Sequence, residues 1–234
     1  MADYRLASEA RYFPQGNFSS TFRVEPRKGF DRLLAETIAD SFSDALHLFT
    51  PEFIPADSFG KACRQSLNKS LARVASSGGA ASYHRIITDS SSATGYRDSF
   101  NKRVIRQLTK LGFGEEYIGE LDAVVSDAYT NAVIHGNNGD LPKRREIKGL
   151  PESHPGDTEK LVMLEALITR EAGVFRITDQ GSGFDTSRAL EIGNPLEALE
   201  STGRGIFAIL MTYTDGFGYV MTGRGFSLNF VKFR

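Results

Sequence analysis

The sequence predicts an α/β protein of the α+β sandwich kind: a mixed, largely antiparallel sheet with helices on one face, preceded by a helical N-terminal extension. Three observations carry that expectation. In the second half, strand-like segments follow one another through short turns, and such turns join antiparallel neighbours. Between them stand segments with apolar residues at helical spacing. The last segment, residues 225–233, alternates Phe226, Leu228 and Phe230 with Ser227 and Asn229, the period of a half-buried strand.

In chain order, residues 17–24 (NFSSTFRV) read as a short strand ahead of Pro26. Residues 27–49 carry Phe30, Leu34, Ile38, Phe42 and Leu46 as one apolar helical stripe, which must be buried somewhere. TPEFIPADSF (50–59) breaks that helix with two prolines, and residues 60–75 resume a helical pattern. ASSGGAAS (75–82) reads as a linker or flexible loop, so residues 1–80 form an extension that carries no chemical signature. Beyond it, YHRIITD (83–89) is strand-like and residues 95–113 form a helix that closes near Gly112 and Gly114. Residues 115–136 form a second helix with Leu121, Val125, Ala128 and Ala132 on its buried side. A polar stretch rich in Gly and Pro, 136–157, makes a long loop. Residues 160–169 and 173–179 form a hairpin around Arg-Glu-Ala. A third helix spans 205–213, with Ile206, Ile209, Leu210 and Tyr213 on one face, and residues 216–222 and 225–233 close the chain as a second hairpin.

Composition narrows the function. The 234 residues suit one large domain, or one domain with a smaller extension. Lys and Arg number 28 against 29 Asp and Glu, so no global field draws in nucleic acid or an anionic membrane. Cys63 is alone, which excludes a disulfide framework and a Cys-based zinc site and suits a reducing compartment. No apolar run approaches a membrane span, and MADYRLASEARYF lacks the core of a signal peptide. A cytoplasmic protein is the expectation.

Three polar motifs lie on this frame. In SDAYTNAVIHGNNGD (126–140), Asp127 and Asn131 stand one helical turn apart with His135 a turn further on, either as surface decoration or as a wall that holds a metal ion. In ITDQGSGFD (177–185), Phe175, Ile177 and Asp179 share a strand face, so a carboxylate ends an apolar row and must be satisfied there. Gly181 and Gly183 remove side chains beside it, as a tight turn or as the approach to a flat ligand. In STGRGIFAIL (201–210), Ser201 and Thr202 can cap a helix whose Gly203 and Gly205 expose backbone N–H groups, and Arg204 adds a fork. That is a natural phosphate seat, or an ordinary glycine-started helix. The same string fits a dinucleotide fingerprint, but that motif follows a strand directly, and NPLEALEST is strand-poor with Pro195 inside.

Taken in this order, the Asp127/Asn131 helix, the Asp-x-Gly-x-Gly-Phe strand end and the Gly-x-Gly helix start resemble the N, G1 and G2 boxes of the GHKL ATPase superfamily. NAVIHGN, DQGSGFD and GRGIFAIL look most similar to its bacterial anti-sigma-factor serine/threonine kinase branch, across residues 82–234. The resemblance implies a Bergerat-type, histidine-kinase-like ATP-binding domain that uses ATP and Mg²⁺. Asn131 would then be the metal ligand, Asp179 the acceptor for the adenine amine, and Gly181 and Gly183 the approach to the ring. Thr202, Gly203, Arg204 and Gly205 would hold phosphates beneath a lid of about 19 residues, 184–202. Asp127 would be the catalytic carboxylate. The implied activity is phosphorylation of a small anti-sigma antagonist, with a sigma factor as further partner and a homodimer as the assembly. One residue departs from the pattern: the family usually has Glu where Asp127 stands, and a misplacement of about 1 Å can cost ~100-fold in rate. A nucleotide-gated binding module with little catalysis is therefore the alternative. A histidine kinase catalytic domain is a third, but His47 is followed by Leu48 where the phosphoacceptor's acidic neighbour belongs.

Overall fold

Leu161–Ile168 is buried at every position, so neither side of this strand faces water, and it reads as the centre of a covered sheet. The computed structural model describes residues 18–24, 42–50, 58–77, 81–89, 95–137, 160–181, 205–222 and 225–234. They form β1 (Phe18–Val24), α1 (Phe42–Leu48), α2 (Ser58–Ser77), β2 (Ala81–Asp89), α3 (Gly95–Lys110) and α4 (Glu115–Asn131). Helix α4 runs into a π-helical turn, Ala132–Asn137; then come β3 (Leu161–Ile168), β4 (Ala172–Thr178), α5 (Gly205–Tyr213), β5 (Gly216–Thr222) and β6 (Gly225–Phe233). The sheet order is β1-β2-β3-β4-β6-β5. From β2 onward every pairing is antiparallel, and β1 adds to β2 in parallel. The β3–β4 hairpin is tight because the Thr169 hydroxyl accepts the N–H groups of Glu171 (3.2 Å) and Ala172 (3.0 Å).

The two faces of the sheet are filled differently. Val162, Leu164, Ala166 and Ile168 of β3, with Phe175, Ile177, Leu228 and Phe230, form one core cluster with α3, α4 and α5. Phe175 and Phe230 stack there with centroids 5.0 Å apart, a geometry worth about 1 kcal/mol beyond burial. Two polar struts fix the far end of α4. The Tyr117 hydroxyl donates to the Lys232 carbonyl (2.8 Å) and accepts from the Gly173 N–H (3.1 Å). The Lys232 ammonium donates to Glu120 (2.6 Å) and to the Tyr213 carbonyl at the end of α5 (3.0 Å).

The helices of residues 82–234 lie on that one face, as expected, and the N-terminal extension covers the opposite one. Leu67, Leu71 and Val74 of α2, with Ala45 and Phe49, cluster against Tyr83, Leu167, Val174 and Val231. Helices therefore cover both faces, because these strands are apolar on both sides and bare apolar surface facing water would oppose folding. Asn229, expected on the wetted side of the last strand, is 2% exposed for the same reason. The residues before 80 thus contribute a sheet strand and part of the core. The small-residue stretch 75–82 is ordered at both ends. Ser76 and Ser77 hydroxyls donate to the Arg73 and Val74 carbonyls at the close of α2 (2.9 and 2.8 Å), and Ala81 and Ser82 open β2 as buried residues. Of the expected helix over 27–49, residues 42–49 lie within the described residues, and Phe42–Leu48 is helical.

A polar row crosses the covered face: Arg85, Glu165, Arg176 and Asn229 occupy paired positions on β2, β3, β4 and β6. Glu165 is fully buried and accepts from the Arg85 Nη2 (2.7 Å) and Nε (3.0 Å), from the Arg176 Nε and from the Tyr83 hydroxyl. Burial alone would raise its carboxyl, but Arg176, Arg85 and these hydrogen bonds outweigh that and hold it down at about 2. Among the described residues no helix is long and apolar enough to cross a membrane.

Candidate functional site

At one end of the sheet β4 stops, β3 and β6 begin, and α4 passes into its π-helical turn. Asp179 lies at this end, directly after β4. Its N–H donates to the Phe226 carbonyl (3.0 Å), which prolongs the ladder to β6 by one bond. The row read from the sequence holds: Phe175, Ile177 and Asp179 are 1, 3 and 3% exposed. Asp179 Oδ1 accepts the N–H groups of Gly181 (2.8 Å) and Phe226 (3.3 Å). Burial raises the carboxyl above its ordinary value, and these two amides and Lys160 offset part of that rise.

Two glycines make the close packing possible. A Cβ built on Gly136 would meet the Asp179 carboxylate, lying 2.7 Å from Oδ1 and closer still to Oδ2. A Cβ on Gly181 would overlap the Gly136 carbonyl. Only residues without side chains let the π-turn, the carboxylate and the loop after β4 stack in contact. Oδ2, the oxygen that the two backbone amides do not take, is also the carboxylate oxygen nearest the position a Cβ on Gly136 would occupy.

The π-turn is held from three sides. Asn137, 0% exposed, donates from Nδ2 to the Leu161 carbonyl (3.0 Å) and accepts the Gln180 N–H at Oδ1 (2.8 Å). The Lys160 ammonium donates to the Asn137 carbonyl (2.7 Å), and the Leu161 N–H donates to Gln180 Oε1 (2.7 Å). A widened turn of this kind often marks a functional site. Sequence reading placed Asn137 in the polar loop and missed Gln180 and Lys160. The one available signal was that Asn137 directly follows the His-Gly pair at the helix end.

Directly before the π-turn, Asn131 donates from Nδ2 both to the Asp127 carbonyl and to Asp127 Oδ2, each at 2.9 Å. This fixes the amide's orientation, since the reverse would set oxygen against oxygen, and it makes Oδ1 the end that a cation would meet. On the other flank, Phe207 in the first turn of α5 lies 5.6 Å from the Tyr219 ring, and Tyr219 stacks on Phe226 at 5.8 Å. Phe226 bonds Asp179, so the start of α5 at Gly205 is tied through two rings to the strand that holds the carboxylate. Helix α5 also packs against α4.

The structure thus brings Asp179 and Gly181 together with the C-terminal end of the helix that carries Asp127 and Asn131. Gly183, Thr202, Gly203, Arg204 and the segment 184–202 lie outside the described residues, as does the His135 side chain. Among the described residues no three His, Cys, Asp or Glu side chains converge to hold a metal. A single amide oxygen completed by phosphates is a mode that magnesium accepts. The chain matches no protein-family model, and no curated protein matches it.

Proposed function

We propose that this end of the sheet is a Mg²⁺-ATP site of Bergerat type. We further propose that the chain is an ATP-dependent protein serine/threonine kinase of the anti-sigma-factor kind, with a small anti-sigma antagonist as substrate. The observation that carries the reading is the buried Asp179 carboxylate seated between two glycines that admit no side chain. A buried acid whose bonds among the described residues come from backbone amides is costly, and a site that recognises an exocyclic amine gives it a role.

In this reading Asp179 Oδ2 accepts from the adenine amine, Gly181 lets the Gly136 backbone close against the carboxylate, and Gly183 is the approach to the ring. Asn131, turned by Asp127, offers Oδ1 to magnesium. Thr202, Gly203, Arg204 and Gly205 would contact the phosphates, since the N–H groups of a helix N-terminus favour an anion. Bound magnesium would supply charge neutralisation for the triphosphate. Asp127 is the carboxylate placed to receive the proton of an attacking hydroxyl. The reading also implies a cytoplasmic protein, a sigma factor as further partner and a second copy of this chain. Titration calorimetry with Mg²⁺-ATP tests the site, and γ-labelled ATP with a lysate of the source tests the transfer. Binding and label on one small protein are expected. Heat of zero would remove the nucleotide reading, and binding without any labelled protein would remove the kinase.

The Asp127–Asn131 bond favours a second reading. Asp127 is a methylene shorter than Glu, and its carboxylate already accepts from the amide beside it. The chain would then be a nucleotide-gated protein-binding module in which Asp127 orients the metal ligand and transfers little. Asp127→Glu extends the carboxylate past that bond, and a gain in label transfer approaching ~100-fold is expected if reach is what limits the rate. Unchanged transfer in a variant that binds ATP normally would count against reach as the limit.

A further inference from the structure

The clasp around the π-turn carries an inference about how the site selects its base, and it rests on the nucleotide reading above. Asp179 is anchored on its N-terminal side by the β6 ladder, through its own N–H and that of Phe226. On its C-terminal side the next peptide is anchored by Asn137, whose Oδ1 takes the Gln180 N–H, while the Gln180 side chain takes the Leu161 N–H. Asn137 closes the ring by donating to the Leu161 carbonyl. Three elements, the π-turn, the start of β3 and the loop after β4, are thus locked through one buried amide and one half-buried amide.

We propose that Asn137 and Gln180 are positioning residues for base recognition. They hold the Asp179 carboxylate and the Gly136 backbone in the register that accepts a purine bearing an exocyclic amine. Neither side chain needs to touch the ligand. A hydrogen bond to a carboxylate depends steeply on distance and angle, so a shift of the Asp179–Gln180 peptide weakens amine recognition more than it weakens contacts to phosphates. Gln180 is the better residue to probe. It is only half-buried, so its loss is not expected to unfold the chain, whereas removal of Asn137 would leave a buried carbonyl and a part-buried N–H unsatisfied.

The test compares ATP with inosine triphosphate, which carries a carbonyl oxygen in place of the amine, by calorimetry with Mg²⁺ on the full chain. The wild type is expected to prefer ATP by about tenfold or more. Gln180→Met, which keeps the length and removes the acceptor, is expected to bind ATP about tenfold more weakly while its affinity for inosine triphosphate stays within about twofold. Gln180→Glu, which restores an acceptor for the Leu161 N–H, is expected to recover the preference. An unaltered preference in Gln180→Met overturns the proposal. So does an equal loss of both nucleotides, which marks a merely structural role, or a Gln180→Glu variant that folds without the preference. A wild type that binds both nucleotides alike overturns it while sparing nucleotide binding. A wild type that binds neither removes the nucleotide reading as well.

Discussion

Asp179→Asn is expected to weaken Mg²⁺-ATP binding about 10- to 100-fold while making the folded chain more stable. The substitution keeps an Oδ1 for the Gly181 and Phe226 N–H groups, so the backbone around it has its partners. It replaces Oδ2 by an NH₂ group, which presents a donor to the donor of an adenine amine. Hydrogen bonds to a charged acceptor contribute about 1.5–3 kcal/mol, which sets the expected factor. The stability sign follows from the raised carboxyl. Burial lifts the folded-state value above the unfolded one, so the folded chain holds this proton more tightly. Ionisation therefore opposes folding, by a cost that is absent below the unfolded value and grows as pH rises through it toward the folded value. Removing the charge removes the cost. Thermal melts at pH 7 are expected to show a higher Tm for Asp179→Asn, with the gap closing as pH falls from the raised folded value toward about 3.9, the unfolded value, and absent below it. Affinity left untouched by this change would defeat the proposed base recognition.

Glu165→Leu carries the largest expected loss of stability, about 3–5 kcal/mol, because it removes the buried carboxylate that pairs with Arg85, 3% exposed, on a covered face. Removing Arg176 is expected to cost less, since its side chain is 18% exposed and water can take over part of the interaction. The loss should register in urea as a lower midpoint with an unchanged slope. The pH sign is opposite to that of Asp179. Glu165 is held at about 2, below its ordinary value, so its stabilisation is complete above the unfolded value and fades as pH falls through the range down to about 2. The wild type is therefore expected to weaken in that acid range, and Glu165→Leu to show a flatter profile. A loss under about 1 kcal/mol at pH 7 would show that the row is not what holds β2, β3 and β4 in register.

Both residues show what a linear reading can find. Asp179 was legible because its two predecessors at strand spacing, Phe175 and Ile177, are apolar, and a carboxylate at the end of such a row is conspicuous. Glu165 sits at the same spacing between Met163 and Leu167, in a strand whose composition is nearly all apolar, and it attracted no attention. Its partners stand 80 residues before it and 11 after it, in Arg85 and Arg176. Asn137 escaped for a related reason. It is followed by Asn138, Gly139 and Asp140, a loop-like run, while contacts with Leu161 and Gln180, 24 and 43 positions away, tie it into the core.

From its amino acids alone the chain determines its local elements: β3 and β4 as a hairpin, α4 with Leu121, Val125 and Ala128 inward, α5 from Gly205, and the final hairpin, each within a few residues. These follow from side-chain periodicity and from where Gly and Thr permit turns, which are properties of adjacent positions. Tertiary structure alone decided that α1 and α2 cover the second face, that the turn after Asn131 widens into a π-helix, and that Gly136 lies against Asp179 and Gly181. Those outcomes depend on which distant surfaces meet, and the burial of a polar group is set by neighbours that no local period records.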